Sequence, residues 1–218
     1  MKIRFILLSF LFFTITSLSA QQLEIFSGWH QSNLRDGRSS SNFSYDNGYV
    51  LGISYDNPNM NGIASRITLS YTNFEGGLYT SQTTDAGESI STVLIKNSDF
   101  NIAVYPFTFF AHDIYLSLGA QASFLLDRQS LGRQTNLIGS TISMERDIND
   151  IKDPDLHMDF TYGLAARLAY SFRIGNAISL TPQYNIYYGI GNEYATVESP
   201  DIKTWKQNLS FGVGFNFN

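Results

Sequence analysis

Apolar and polar residues alternate with a period of two along most of the chain, the pattern of β-strands that differ in their two faces. The clearest case is residues 158–172, where Met158, Phe160 and Tyr162 begin an apolar row that continues to Phe172. The residues between them are mostly small or polar. Eight such segments are predicted as strands: 22–31, 47–56, 63–74, 92–105, 113–126, 158–172, 178–190 and 205–217.

The connections between these segments alternate in length. Odd-numbered connections are long, such as 75–91, and even-numbered ones are short, such as 57–62 and 173–177. Tight turns at one end and long loops at the other are typical of bacterial outer-membrane barrels, whereas a β-sandwich gives no reason for this sorting. We therefore predict an all-β fold, an eight-stranded antiparallel up-and-down transmembrane β-barrel. The long loops 32–46 and 75–91 are expected to be mobile, and an extra hairpin at 137–144 would give ten strands instead.

The composition of the polar face indicates which face meets lipid. It consists of Gly, Ser, Thr, Asn, Gln and Ala with few charges, rather than the Lys and Glu of a water-facing surface. Small polar side chains suit an eight-stranded lumen, which is just wide enough for side chains to fill it. The bulky apolar face would overfill that space, so we expect it to face hydrocarbon.

Aromatic residues are concentrated near the predicted strand ends, on the apolar face. Two belts of aromatic side chains are expected at the two interfaces of an outer-membrane barrel, although an aromatic core is the alternative. The predicted outer belt is Trp29, Tyr49, Tyr71, Tyr162, Tyr188 and Trp205, and the inner one includes Tyr55, Phe107, Phe109, Phe110, Phe172 and Phe217.

Residues 1–20 have the features of a secretory signal peptide. Lys2 and Arg4 precede an apolar stretch, and small residues precede Gln21. The apolar stretch is shorter than the roughly 20 residues of a membrane-spanning helix, which disfavours the alternative of an anchor. We expect removal of residues 1–20 and export of a single barrel domain, residues 21–218, to the outer membrane.

Composition excludes several classes of function. Charged residues make up 15% of the chain, against about 25% in ordinary soluble domains. The net charge is −5 and no basic run occurs, so nucleic acid is not an expected partner. The chain has no cysteine, which rules out disulfides and a lipoprotein anchor.

A few charged residues fall on the predicted lumen face. An isolated charge is costly in a low-dielectric interior, so these side chains are expected to form a polar network. We expect Arg167 and Asp99 to belong to one such network. It would act either as a polar plug that holds the barrel together or as a gate or ion-selective constriction. The predicted network residues are Glu24, Arg66, Asp99, Arg167 and Lys206.

Candidate catalytic and metal-binding residues lack a supporting motif. His30 and His157 fall near the outer rim, with Ser32 and Asp159 close by in sequence, but no nucleophile motif surrounds them. The acidic segment 145–159 is compatible with Ca²⁺, but it lacks the order of an EF-hand, and a solvated acidic loop is the favoured interpretation. We therefore expect no catalytic residue, no cofactor and no metal.

Strands dense in Tyr, Gly and Asn and a final strand of sequence NLSFGVGFNF resemble the small outer-membrane β-barrels of the OmpA/OmpX type. They most resemble the porin-like and PorT-like barrel domains of Bacteroidetes. The resemblance implies a Gram-negative outer membrane, with lipid and lipopolysaccharide around the barrel. It also implies recognition of the last strand by the barrel-assembly machinery. Two features depart from the pattern: Phe217 is penultimate rather than last, and Pro182 removes a donor from its strand unless a bulge absorbs it.

The expected function is structural or interactive. External loops would be presented, to a protein partner among others, on a barrel whose lumen is largely plugged. The alternatives are a narrow porin or a partner of a secretion apparatus, as the PorT-like resemblance implies, and, third, a lipid-modifying membrane enzyme.

Overall fold

The computed structural model describes residues 21–35, 42–43, 46–57, 64–84, 87–138, 141–149, 160–191 and 203–217. The predicted signal peptide lies outside these residues. Within them all regular structure is β-strand, and no helix there is long and apolar enough to cross a membrane. The strands are β1 (Gln21–Arg35), β2 (Asn42–Phe43), β3 (Asp46–Asn57), β4 (Ala64–Thr84), β5 (Gly87–Ala111), β6 (Ile114–Ile138), β7 (Thr141–Asn149), β8 (Phe160–Tyr170), β9 (Phe172–Ile174), β10 (Ile178–Gly189) and β11 (Lys203–Phe217).

Eight of these strands close into a barrel. Its order is β11, β1, β3, β4, β5, β6, β8 and β10, and pairing of β10 with β11 completes the circle. Each pairing is antiparallel. The predicted fold class is confirmed. Among the other strands, β9 continues the line of β8 beyond Ser171, and β2 and β7 pair with β4 and β6.

Strands β4, β5 and β6 extend well past the barrel. The β4–β5 ladder continues from Glu75↔Lys96 to Thr84↔Gly87, so the predicted mobile loop 75–91 is a hairpin. The sequence of this hairpin does not alternate clearly between apolar and polar residues, because beyond the barrel neither face of the hairpin has to meet lipid. In the same way β6 continues to Ile138 and pairs with β7.

The pairing predicted for residues 137–144 exists, but it does not enlarge the barrel. Leu137 pairs with Ile142 above the barrel, while β6 pairs directly with β8 from Ile114↔Tyr170 to Phe124↔Phe160. The extra hairpin therefore extends β6 outward, and the ten-stranded alternative is wrong.

Tight turns lie at the end of the barrel that also holds Gln21 and Phe217. The predicted connection 106–112 is mostly strand: β5 reaches Ala111, with an irregular register between Val104 and Phe107, beside Pro106. Only His112 and Asp113 form the turn, with His112 at φ 58°. A second turn follows Ile174 and uses Gly175 at φ 69°, a conformation that suits glycine.

Pro182 interrupts one ladder without a bulge. On the β11 side it pairs with Phe211 in regular register. On the other side the pairs Gln183↔Ala169 and Leu180↔Phe172 flank it in the same register, with no pairing between them. The missing donor is absorbed by a gap between β8 and β9 rather than by an added residue.

The strands are strongly staggered around the barrel. Following paired residues from Leu23 through β3, β4, β5, β6, β8, β10 and β11 leads back to Asn33 on β1, ten residues further along the same strand. This stagger fixes the tilt and width of a closed barrel. Because of the stagger, residues equally far from the starts of their strands lie at different heights along the barrel axis.

The two faces of the barrel are inverted relative to a soluble protein. Along β8, residues from Phe160 to Tyr170 alternate between exposed and buried, and the exposed ones are apolar. Tyr162, Leu168 and Phe211 are each at least 50% exposed. The buried side chains within the described residues are mostly polar. This is the arrangement expected of a barrel surrounded by hydrocarbon.

Replacing an outward leucine by arginine should test this arrangement. Leu168 lies midway between the belts, so Leu168→Arg is expected to lower the free energy of unfolding by about 2–4 kcal/mol, because it carries a charge into hydrocarbon. The side chain of Leu126 is 59% exposed and that of Leu168 is 52% exposed. Leu126 lies beyond Phe124, toward the end at which β4, β5 and β6 extend past the barrel, which we call the long-strand end. Leu126→Arg should cost about 0–1 kcal/mol. Urea unfolding in lipid vesicles measures both, and equal costs would contradict a lipid-facing surface.

Candidate functional site: the polar lumen

The lumen is lined by side chains that the alternation of each strand turns inward. Most are Ser, Thr, Asn or Gln, and glycines occur where larger neighbours need space. At Gly212, a Cβ atom would lie 2.7 Å from Cδ of Glu24. The absence of a Cβ atom at Gly212 therefore leaves room for that carboxylate.

Four charged side chains form a lower cluster near the end of the barrel that holds Gln21 and Phe217. Arg66 is its centre: its Nη2 donates to Glu24 Oε1, and its Nη1 lies 2.6 Å from Oδ2 of Asp56. Arg167 Nη2 lies 3.6 Å from the other Glu24 oxygen, and its Nε donates to Oε1 of Gln183. Glu24, Arg66 and Arg167 are almost completely buried.

An upper cluster lies further along the lumen, around Lys206. The Nζ atom of Lys206 is 2.6 Å from Oδ2 of Asp99 and 5.6 Å from the ring centroids of Phe74 and Tyr187. The Phe74 ring also packs on His30, with 5.1 Å between centroids. Aromatic faces thus enclose the ammonium group, which is a favourable setting for a cation.

A layer of amides and hydroxyls lies between the clusters. Asn101 is its hub: it donates to Thr72 at 3.1 Å and accepts from Ser123 at 2.6 Å and from Gln121 at 3.2 Å. These bonds join β4, β5 and β6 and satisfy polar groups that burial would otherwise penalise.

Little empty volume remains in this part of the lumen. Two cavities of about 10 and 20 Å³ adjoin the layer, each large enough for roughly one water molecule. His30 lines the first and Gln183 the second, and the Nε2 atom of each has no hydrogen-bond partner in the protein. A buried polar atom beside a water-sized cavity is a natural water site.

The lumen charges compensate one another. Within the described strands, three carboxylates face three cations, so the two clusters together are neutral. The lower cluster combines Glu24 and Asp56 with Arg66 and Arg167, and the upper one pairs Asp99 with Lys206.

The five residues of the predicted network are all buried in the lumen, but they are divided between the clusters. Asp99 pairs with Lys206, whereas Arg167 contacts Glu24 and Gln183. The expectation that Asp99 and Arg167 share one network is therefore wrong. It placed them by position along their strands, and the stagger of the barrel separates them in height.

Several lumen residues were missed. Asp56 ends a predicted strand, and its parity with Ser54 could have identified it as inward-facing. Phe74 and Tyr187 are harder to find, because both are aromatic residues on the polar face. Both rings lie beside Lys206 in the lumen, and the Phe74 ring also packs on His30.

The proposed catalytic residues do not form a rim site among the described side chains. His30 and Ser32 are each 1% exposed and face the lumen. Nδ1 of His30 is hydrogen-bonded to Oδ1 of Asn208. His157 and Asp159 lie outside the described residues. In the acidic segment, Glu145 and Asp147 belong to β7 rather than to a loop.

The predicted aromatic belts lie on the outward face. Tyr49 and Tyr71 form one tilted pair with ring centroids 6.1 Å apart, and Tyr188 and Trp205 form an edge-on pair at 6.2 Å. Trp29, Tyr49, Tyr162, Tyr188, Phe172 and Phe217 are exposed, and Tyr55, Tyr71 and Trp205 are half-buried.

Comparison with known proteins gives the following matches. The family described as "Outer membrane protein beta-barrel domain" matches residues 19–195. Neisserial surface protein A is 16% identical, with 92% of this chain and 100% of that one covered and a TM-score of 0.40. OprG from Pseudomonas aeruginosa is 12% identical, with 89% and 95% covered and a TM-score of 0.41. Ail of Yersinia pestis is 11% identical, with 90% and 99% covered and a TM-score of 0.37. No curated protein matches.

Breaking the upper cluster should destabilise the barrel. Lys206→Met leaves Asp99 buried without its cation, and is expected to lower the free energy of unfolding by about 3–5 kcal/mol. Adding Asp99→Asn should recover part of this loss. Lys96→Met is the matched control: Lys96 lies 2.9 Å from Glu75, but both are more than 40% exposed, so the cost should be below about 1 kcal/mol. If the double variant is no more stable than Lys206→Met, the pair is not coupled as described.

Proposed function

The chain belongs to the outer membrane protein beta-barrel domain family and is an outer-membrane barrel, and we propose that it serves there as a closed scaffold that presents its external hairpins. The observation that carries the proposal is the filled lumen. Six compensated charges and a hydrogen-bonded layer occupy its described part, and the two cavities beside that layer each hold about one water molecule. A hydrated ion needs more room than this.

The long-strand end is the part offered to partners. Strands β4, β5 and β6 continue past the aromatic belt and carry β2 and β7 with them. The opposite end has tight turns at 112–113 and 175–177. In barrels of this class short turns face the periplasm, so we place the extended hairpins outside the cell. Recognition of a protein partner is the role that fits them best.

The other functions have less support. A narrow pore would need an open path between the clusters, and a lipid-modifying enzyme would need a reachable nucleophile and base near the outer rim. His30 and Ser32 are buried instead. A role beside a secretion apparatus is compatible with a closed scaffold, and would be one form of partner binding.

The closed lumen can be tested by conductance. The mature chain, inserted into planar bilayers, should give no stable open steps, because the side chains of the described strands fill the lumen with paired charges and hydrogen-bonded groups. The double variant Phe74→Ala and Lys206→Ala removes two central side chains and should raise the ionic leak. Heat-modifiable migration on gels verifies that each barrel is folded before recording. Steady open steps from the unaltered chain would favour the narrow pore.

The orientation can be tested on cells. An epitope inserted directly after Thr84, which with Gly87 forms the last pair of the β4–β5 ladder, should bind antibody on intact cells. The same epitope at Gly175 should be reached only after the outer membrane is permeabilised. The reverse result would place the extended hairpins in the periplasm and remove the proposed presentation role.

A further inference from the structure

Both tryptophans of the chain lie on one side of the barrel, on its outward face. Trp29 is in β1 and Trp205 in the neighbouring β11, where the first and last strands close the barrel. Trp29 is 43% exposed, and Trp205 is half-buried beside Tyr188. Tryptophan at a membrane interface presents a flat apolar ring together with a polar N–H group.

Two glutamines lie between the tryptophans. Gln31 and Gln207 are direct cross-strand partners, and Gln207 Nε2 donates to Gln31 Oε1. The hydroxyl of Tyr184 donates to Gln207 Oε1 at 2.6 Å, and Gln31 Nε2 donates to Asn47 Oδ1 at 3.4 Å. Amides are costly in hydrocarbon unless they are hydrogen-bonded. This linked row on a lipid-facing surface therefore marks the depth at which polar head groups begin.

The surroundings of the glutamines change in order along the barrel axis. Lys203 lies on the same face as Trp205, two residues nearer the long-strand end. In the opposite direction Leu209 and Phe211 continue the face, at least 50% exposed. Along β11 the order is therefore the cation Lys203, then Trp205 and Gln207, then the apolar side chains of Leu209 and Phe211, with Trp29 and Tyr184 paired to Leu209 on either side. We call the polar and aromatic part of this surface the seam patch: Trp29, Gln31, Tyr184, Lys203, Trp205 and Gln207.

We propose that the seam patch binds a phosphorylated glycolipid of the outer leaflet. The ring faces suit the apolar C–H faces of a sugar, and the glutamine amides supply donors and acceptors for its hydroxyls. Lys203 supplies a positive charge at the height of a phosphate. The acyl chains would lie along Leu209 and Phe211. A simple phospholipid head offers no sugar for the amides, so it should bind more weakly.

This inference rests on the orientation proposed above, because the seam patch must face the outer leaflet. It does not depend on whether the lumen is closed. Conductance therefore tests the scaffold separately, and the epitope experiment tests the shared orientation. Lipid binding tests the seam patch itself.

Tryptophan emission provides a local readout, since the chain has two tryptophans and both are in the patch. The mature chain in phosphatidylcholine nanodiscs is titrated with lipid A, a bisphosphorylated glucosamine disaccharide lipid, and in parallel with phosphatidylglycerol. We expect a saturable change in emission with lipid A and a much weaker response to phosphatidylglycerol. A linear response to both, or an equal affinity for both, would reduce the patch to a generic anionic interface and overturn the proposal.

Variants separate the parts of the patch. Gln31→Leu with Gln207→Leu should weaken lipid A binding about tenfold while retaining both tryptophans. Lys203→Gln should weaken binding of lipid A but not of its dephosphorylated form. Heat-modifiable migration first verifies that both variants are folded. If the double glutamine variant does not fold, Lys203→Gln still tests the proposal, because it leaves the hydrogen-bonded row intact.

A matched control lies on another part of the same face. Asn73 Nδ2 donates to Ser98 Oγ at 2.9 Å, and the Tyr71 hydroxyl donates to the same atom at 3.0 Å. Asn73→Leu with Ser98→Ala removes a comparable outward polar group without touching the seam patch, and should leave lipid A binding unchanged. An equal loss of lipid A binding in this control would show that the seam patch is not a specific binding site. Unchanged binding in the double glutamine variant would likewise refute the role of the amides.

Discussion

The structure depends on fitting polar side chains into a lumen of limited size. Because the apolar face of each strand is given to hydrocarbon, the polar face has to supply the packed interior, and an eight-stranded barrel leaves little space for water. Buried charges are tolerated there only when they are paired. The lower cluster around Arg66 and the upper pair of Asp99 and Lys206 meet this condition. The absent Cβ of Gly212, where the Glu24 carboxyl group packs, shows how closely backbone and charge are fitted.

Closure of the barrel is the second constraint. It also explains why the interruption at Pro182 is small and why some strands extend beyond the barrel. In hydrocarbon each backbone group needs a partner within the protein, so β10, β11 and β1 have to join. The gap at Pro182 stays small because register is retained on both sides of it. Beyond the belts water can satisfy the backbone. There β4, β5 and β6 can extend to different lengths and can pair with the additional strands β2 and β7. Within the membrane these pairings would interrupt the closed ring of strands.

Interior and exterior therefore have separate tasks. The lumen side chains pair their charges and hydrogen-bond one another, and this neutral arrangement suits the closed scaffold proposed above. The outward face carries the variation that a partner or a lipid could recognise: extended hairpins at one end, and an uneven distribution of aromatic and amide groups around the belt. Trp29, Gln31, Trp205 and Gln207 lie together on two neighbouring strands, β1 and β11.

The amino-acid sequence by itself determined the eight segments that form the barrel and the face turned to lipid, because a period of two and the sizes of the side chains on each face are local properties. It also identified Glu24, Arg66, Asp99, Arg167 and Lys206 as inward-facing. Only the tertiary structure decided which of them pair, since the stagger that brings β1 back ten residues out of step accumulates over the whole circle. The same holds for the hairpin of residues 75–91, whose polar residues form strands only because each has a partner across the ladder.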